Sequence, residues 1–203
     1  MFKRKILSKL EAWKRDERHK PLILRGARQV GKTTVVNEFG SQFDNYLYFN
    51  LEMNESVRLF EMDIPLNDLV NMLFASLGKS QREGSTLIFI DEIQNSPKTI
   101  ALLRYFYEQR PDLYVIAAGS LLENLVDVNV SFPVGRVMYM ALRPCSFYEF
   151  LGAIGKTNLL AVLSQKPEYT VAFHEQLIHQ FNQYTIIGGM PEAVQRYAET
   201  QDI

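Results

Sequence analysis

Five short runs along the chain are apolar at most positions: "PLILRG" (21–26), "NYLYFNLE" (45–52), "STLIFIDE" (85–92), "LYVIAAGS" (113–120) and "RVMYMAL" (136–142). A half-exposed strand alternates apolar and polar residues. Several of these runs do not alternate, the pattern of strands buried on both faces of a parallel sheet. The segments between them, 32–40, 65–78, 97–110 and 120–128, are long enough for helices. Strand and helix alternate, so the pattern predicts an α/β fold with a mainly parallel sheet. Upstream, Ile6, Leu7, Leu10 and Trp13 recur at helical spacing with charges between them. That spacing predicts an amphipathic helix from about residue 3 to 18.

From about Pro144 the pattern changes. "PCSFYEFLGAIG", "NLLAVLSQ", "YTVAFHEQLIHQFNQYTIIGG" and "PEAVQRYAETQDI" have helical spacing and no clear strand. The organisation expected is a basic N-terminal helix (1–20), an α/β core (21–143) and a small helical subdomain (144–203). The last helix has barely begun where the sequence stops at Ile203, so the chain reads as a fragment.

Composition narrows this picture little: 47% hydrophobic and 22% charged residues over 203 positions suit an ordinary globular protein. The net charge of −1 gives no overall field favouring nucleic acid or an anionic membrane. The charge is uneven, with eight Lys/Arg against three Asp/Glu in residues 1–20. The single cysteine, Cys145, excludes an internal disulfide framework and a Cys-rich metal site. No apolar run approaches the roughly 18–20 residues of a membrane span, and no secretory signal is visible. A cytoplasmic protein without membrane contact is expected. His19, His174 and His179 lack metal-ligand spacing, since the last two lie five apart rather than four.

The chemistry concentrates in "LRGARQVGKTT" (24–34). Gly26-Ala27-Arg28-Gln29-Val30-Gly31-Lys32-Thr33 matches G-x-x-x-x-G-K-[ST], between an apolar strand and a helical segment. The glycines let the backbone wrap closely, and its N–H groups with the helix N-terminus would cradle a triphosphate. Lys32 would reach the β- and γ-phosphates and Thr33 would give its hydroxyl to Mg²⁺, with Thr34 beside it. Arg28 faces either a ligand, solvent or a partner.

"LIFIDE" ends a buried-strand pattern on two acids. At the carboxyl end of a parallel strand they would face the ligand crevice. Asp91 would hold the Mg²⁺ shell and Glu92 would act as general base on water. Ser120, ending "VIAAGS", either senses the γ-phosphate or caps the next helix. Arg136, in "FPVGRV", is either a finger reaching a neighbour's γ-phosphate or a structural partner of a carboxylate, the second being the stronger reading.

These stretches, with "GRVMYMALRPCSFYEFL" and "IIGGMPEAV", resemble a family of bacterial and archaeal P-loop ATPases. The family is of AAA type and is related to the signal-transducing ATPases with numerous domains. The resemblance runs from about residue 20 to 197. It implies strand order 5-1-4-3-2, a helical lid, and a Gly189-Met190-Pro191 lid motif that brings Pro191 near the nucleotide. It also implies ATP rather than GTP, and no guanine-reading N-K-x-D is present. Family members usually continue into a C-terminal domain of unassigned function. No clear lid arginine of the AAA type is present; Arg196 is nearest.

The function expected is Mg²⁺-dependent ATP binding and hydrolysis coupled to lid movement. The alternatives are a slow switch that holds ADP, or a DNA-associated ATPase. A protein partner, the missing C-terminal domain or a second copy of the chain are the partners expected, with nucleic acid resting only on the basic stretch.

Overall fold

The computed structural model describes residues 2–120, 133–163 and 171–202. Five strands form one sheet: β1 (Leu22–Arg25), β2 (Asn45–Asn50), β3 (Thr86–Asp91), β4 (Leu113–Gly119) and β5 (Met138–Ala141). Their order is β2-β3-β4-β1-β5, and every neighbouring pair is parallel. Read from the other edge, this is the expected 5-1-4-3-2.

The hydrophobic pattern follows position in the sheet. All six residues of β3 are buried, as are all of β4 except Tyr114. Both strands are central and covered on two faces. The edge strand β2 alternates buried and half-buried positions, so "NYLYFN" keeps one wetter face. The other edge, β5, has no fully buried residue.

The helices are α1 (Ile6–Arg15), α2 (Lys32–Gly40), α3 (Asn54–Phe60), α4 (Leu66–Ser76), α5 (Pro97–Gln109), α6 (Phe147–Ala153), α7 (Thr157–Leu163), α8 (His174–Ile187) and α9 (Pro191–Thr200). A 3-10 turn covers Ile93–Asn95. Helix α1 is shorter than the spacing suggested: after Arg15 the chain turns, with Asp16 N–H donating to the Trp13 carbonyl and His19 N–H to that of Asp16. Helix α3 was not expected. It is seven residues long without a side-chain cap, and Phe60 anchors it, fully buried and edge-on to Phe49 at 5.3 Å. The helix expected over 120–128 lies, beyond Ser120, outside the described residues.

The chain forms two compact units. One comprises residues 9–28 and 32–142, and holds the sheet. Its main core joins Ile23, Leu47, Ile88, Ile90 and Val115 to Leu69 and Leu73 of α4 and to Ile100, Leu103 and Phe106 of α5. Each large apolar side chain fully buried there contributes about 1.5–3 kcal/mol. A separate aromatic group holds the end of α1: Trp13 lies edge-on to Tyr114 at 5.5 Å, and its indole N–H donates to the Lys20 carbonyl. His19 stacks on Tyr114 at 4.0 Å. The basic N-terminal stretch is thus pinned by its apolar stripe.

The other unit gathers the residues up to Ser8, residues 29–31 and those from Arg143 on. Phe150 of α6 is fully buried beside Val194 and Tyr197 of α9, and stacks on Tyr197 at 5.8 Å. Helix α6 starts on a capping box: the Ser146 hydroxyl accepts from Glu149 N–H, while the Glu149 carboxylate accepts from Ser146 N–H. Gly188 takes φ +80°, ψ −176°, a region essentially reserved for glycine. A Cβ on Gly189 would meet the Cys145 carbonyl oxygen at 2.6 Å, so only glycine fits that approach.

Candidate functional site

Strand β1 ends at Arg25 and α2 begins at Lys32, with six residues between. Gln29 and Gly31 in this loop have φ of +62° and +87°. Glycine takes the left-handed region freely; Gln29 costs about 1–2 kcal/mol there. Loops that alternate hand in this way collect backbone N–H groups into an anion-binding concavity. Ala27, Arg28, Gln29 and Thr34 are exposed, and Val30 is fully buried.

Lys32 is only 6% exposed. Its ammonium donates to the carbonyls of Gly26 and Ala27, each at 2.9 Å. Burial lowers its pKa; the nearby Glu92 and Asp91 carboxylates pull it back up, and Arg28 works against them. The next residue reaches across to β3. The Thr33 hydroxyl donates to Asp91 Oδ2 at 2.5 Å, while Asp91 Oδ1 accepts from Glu92 N–H at 3.0 Å. Asp91 is 3% exposed, and burial raises its pKa despite the Thr33 and Glu92 hydrogen bonds.

Because β1, β3 and β4 are parallel neighbours, Arg25, Asp91 and Gly119 all end at one sheet edge. The carboxyl edge is where open α/β sheets bind ligands. Just past β3, Glu92 is left-handed (φ +53°, ψ +43°), a strained setting for a non-glycine residue. Its carboxylate accepts a hydrogen bond from the Gln94 side-chain amide. Among the described residues, three buried side-chain atoms lack a hydrogen-bond partner: Arg25 Nε, Gln94 Oε1 and Ser120 Oγ. Arg25 is the last residue of β1, while Gln94 and Ser120 follow the carboxyl ends of β3 and β4, and such orphans are rare enough to need an explanation.

A divalent ion fits these side chains in one specific way. No cluster of three or more His, Cys, Asp or Glu that could cage a metal occurs among the described residues. Thr33 and Asp91 offer adjoining hard oxygens instead. Mg²⁺ is usually held by one or two protein oxygens plus phosphate and water, rather than by an all-protein cage.

The other candidates fall in different places. Pro191 Cγ lies 3.8 Å from where a Gly31 Cβ would be, so the Gly189-Met190-Pro191 motif meets the loop crest within one unit. Arg136 is not brought to the loop of its own chain. It precedes β5, at the amino edge of the parallel sheet, and its guanidinium is 3.3 Å from Glu108, which Arg104 also binds at 2.9 Å. That is the carboxylate pairing anticipated from the sequence.

Sequence reasoning missed Arg4. Its side chain is 6% exposed and makes three bonds: Nε to Glu149 Oε1 (2.9 Å), Nη1 to the Val30 carbonyl (3.0 Å) and Nη2 to the Arg143 carbonyl (2.7 Å). Nothing in a stretch with eight cations singles out the one that is buried. Glu149 was more legible, since Ser146-x-x-Glu149 is a capping-box spacing. Gln94 and Arg25 likewise carry no spacing signal.

The five-stranded parallel sheet, with a glycine-bounded loop running from β1 into a helix led by lysine, defines a P-loop nucleoside triphosphatase fold of the α/β class. Residues 18–151 match the model of the AAA domain family (AAA_14), and the chain belongs to that family of nucleotide-binding ATPase domains. No curated protein matches it. Among solved structures it is similar to a chain of Drosophila ORC bound to DNA, with 15% identity and a TM-score of 0.53 over 94% of this chain and 58% of that one. It also aligns with the Aeropyrum pernix ORC1 protein in complex with DNA (15% identity, TM-score 0.45, 72% of this chain and 45% of that one). A third alignment is to C. elegans PCH-2 (12% identity, TM-score 0.43, 76% and 46%). The chain therefore spans 45–58% of the length of these structures. At such identities the likeness to the Drosophila chain is one of fold alone.

Proposed function

We propose that the chain binds ATP and ADP with Mg²⁺ in the 26–34 loop and hydrolyses ATP there. The observation that supports this most is the 2.5 Å hydrogen bond from Thr33 to Asp91. It joins the first turn of α2 to the end of β3, and so brings together beside Lys32 two hard oxygens that would serve as ligands for Mg²⁺. The three orphaned polar atoms, at the end of β1 and past β3 and β4, support it further, because a polyphosphate and its waters would give them partners.

In this reading Lys32 exchanges its two loop carbonyls for β- and γ-phosphate oxygens. The N–H groups of residues 26–34 hold the remaining phosphate charge. Thr33 and Asp91 would hold Mg²⁺, whose charge would offset that of the phosphates. Glu92 orients a water and takes its proton as the oxygen attacks the γ-phosphorus, and the bond to the β,γ-bridging oxygen breaks. Ser120 Oγ donates to the γ-phosphate or to that water. Pro191 senses the occupied loop, which links nucleotide state to the helical segment from Arg143 on, the proposed lid.

One observation favours the slower alternative, a switch that holds ADP. The Gln94 amide already engages the Glu92 carboxylate, which must then serve as base while holding that bond. The DNA-associated alternative rests on the basic stretch, where Arg4, Lys14 and Lys20 are spent on backbone carbonyls. A trans role for Arg136 needs a second copy of the chain, because its position lies at the sheet's other edge.

Phosphate release from Mg-ATP by wild type, Glu92→Gln and Asp91→Asn tests the reading, with and without DNA. General-base removal should lower turnover by about 10²-fold or more while Mg-ADP affinity holds. Wild-type turnover by Glu92→Gln would remove hydrolysis at this site from the account. A single turnover followed by retained ADP would select the switch. Turnover equal with and without DNA would count against the DNA-associated alternative.

A further inference from the structure

We infer that Arg4 is a positioning residue for the phosphate loop: by fixing the Val30 carbonyl, it aims the Gly31 N–H at the bound phosphates. This rests on the nucleotide reading above and adds a residue outside the loop motif to that site.

The described peptide bonds are all trans. In a trans peptide unit the carbonyl and the N–H point in opposite directions. The Val30 carbonyl accepts from Arg4 Nη1 at 3.0 Å. The Gly31 N–H of the same unit therefore points away from the guanidinium. Gly31 is left-handed, at φ +87°, and a glycine in that region is otherwise free to rotate this peptide. A buried hydrogen bond from a cation to the carbonyl holds it in one orientation, because rotation would strand both groups.

The guanidinium is itself fixed by the rest of its fork. Nε meets Glu149 Oε1 at 2.9 Å and Nη2 meets the Arg143 carbonyl at 2.7 Å. Glu149 is held in turn by the N–H groups of Lys5 and Ser146. The network runs from the loop crest to the start of α6 within one compact unit. Lysine at position 4 would keep a charge beside Glu149 but could not make three bonds in one plane.

The test titrates Mg-ADP into the full chain as wild type, Arg4→Lys, and the double variant Arg4→Met with Glu149→Gln. The double variant removes both buried charges, so neither is left alone. The Gly31 amide is followed in ¹⁵N-glycine-labelled protein, and folding by the thermal transition. In wild type the Gly31 amide should move downfield as it donates to phosphate. Arg4→Lys should bind about tenfold more weakly and the double variant at least as weakly, with the Gly31 displacement cut by half or more. Folded variants that bind within twofold of wild type, or that weaken with the Gly31 displacement unchanged, would overturn the inference. A fall in melting temperature alone would assign Arg4 to stability only and overturn it too. If wild type binds no nucleotide, the proposed function fails and this inference fails with it.

Discussion

Lys32 and Glu149 are charged groups in poorly solvated places, and each is tolerable only because hydrogen bonds replace water. For Lys32 the partners are loop carbonyls, which a phosphate can outcompete. Lys32→Ala should therefore weaken Mg-ATP binding about 100-fold, about 2.7 kcal/mol, measured by equilibrium titration. For Glu149, burial would raise the pKa, but hydrogen bonds from the Ser146 and Lys5 N–H groups and from Arg4 outweigh it and hold the pKa down. Arg4, Cys145 and Tyr184 are among the titratable groups that interact with it. A depressed carboxyl pKa contributes stability above the unfolded value, here near 4.5, and that stability is lost as pH falls through the folded value. The stability gap between wild type and Glu149→Gln, from denaturant titrations, should be full at pH 7 and shrink below about pH 4.5. A gap that does not change between pH 7 and pH 3 would contradict this. At this scale the sequence was legible wherever chemistry imposes spacing: Lys32, Thr33 and Asp91 stand out by motif. Arg4 does not, because its partners Val30, Arg143 and Glu149 are 26 to 145 residues away and no local pattern encodes that pairing.

Elements were readable in proportion to how strongly burial shapes their residues. β3 and β4 are covered on both faces and leave runs without alternation. α4 and α5 are long and amphipathic, and their bounds fall within two residues of expectation. α3 has only seven residues and depends on Phe60 and Phe49 meeting, a tertiary contact that periodicity cannot show. α1 depends on Trp13, which packs on Tyr114, Phe39 and His19. Trp13→Ala should cost about 3–5 kcal/mol in denaturant unfolding. A loss under 1 kcal/mol would mean that α1 is not anchored there. At the start of α6, Ser146→Ala removes the hydroxyl that accepts from Glu149 N–H and should cost about 1 kcal/mol. Gly189→Ala should cost more than that cap, since its methyl meets a backbone oxygen that cannot swing aside.

For the molecule as a whole, strand order decides where chemistry can occur. With β1 between β4 and β5, and β3 beside β4, the ends of β1, β3 and β4 open at one edge, where Asp91 closes β3 and the loop, Glu92 and Ser120 follow the strands. Arg136 stands before β5 at the other edge, so any service to a nucleotide must cross to another copy. None of the described helices is long and apolar enough to cross a membrane. A ligand gripped only by the folded loop should raise unfolding free energy by about 2.7 kcal/mol at 100 times its dissociation constant. Mg-ADP should thus raise the melting temperature of wild type and leave Lys32→Ala nearly unmoved. The most direct measurement is calorimetric titration of the purified chain with Mg-ATP and Mg-ADP, beside Lys32→Ala. Wild type should bind saturably at one to one, weakened about 100-fold by the substitution. No heat with any purine di- or triphosphate, or equal binding by Lys32→Ala, would contradict it.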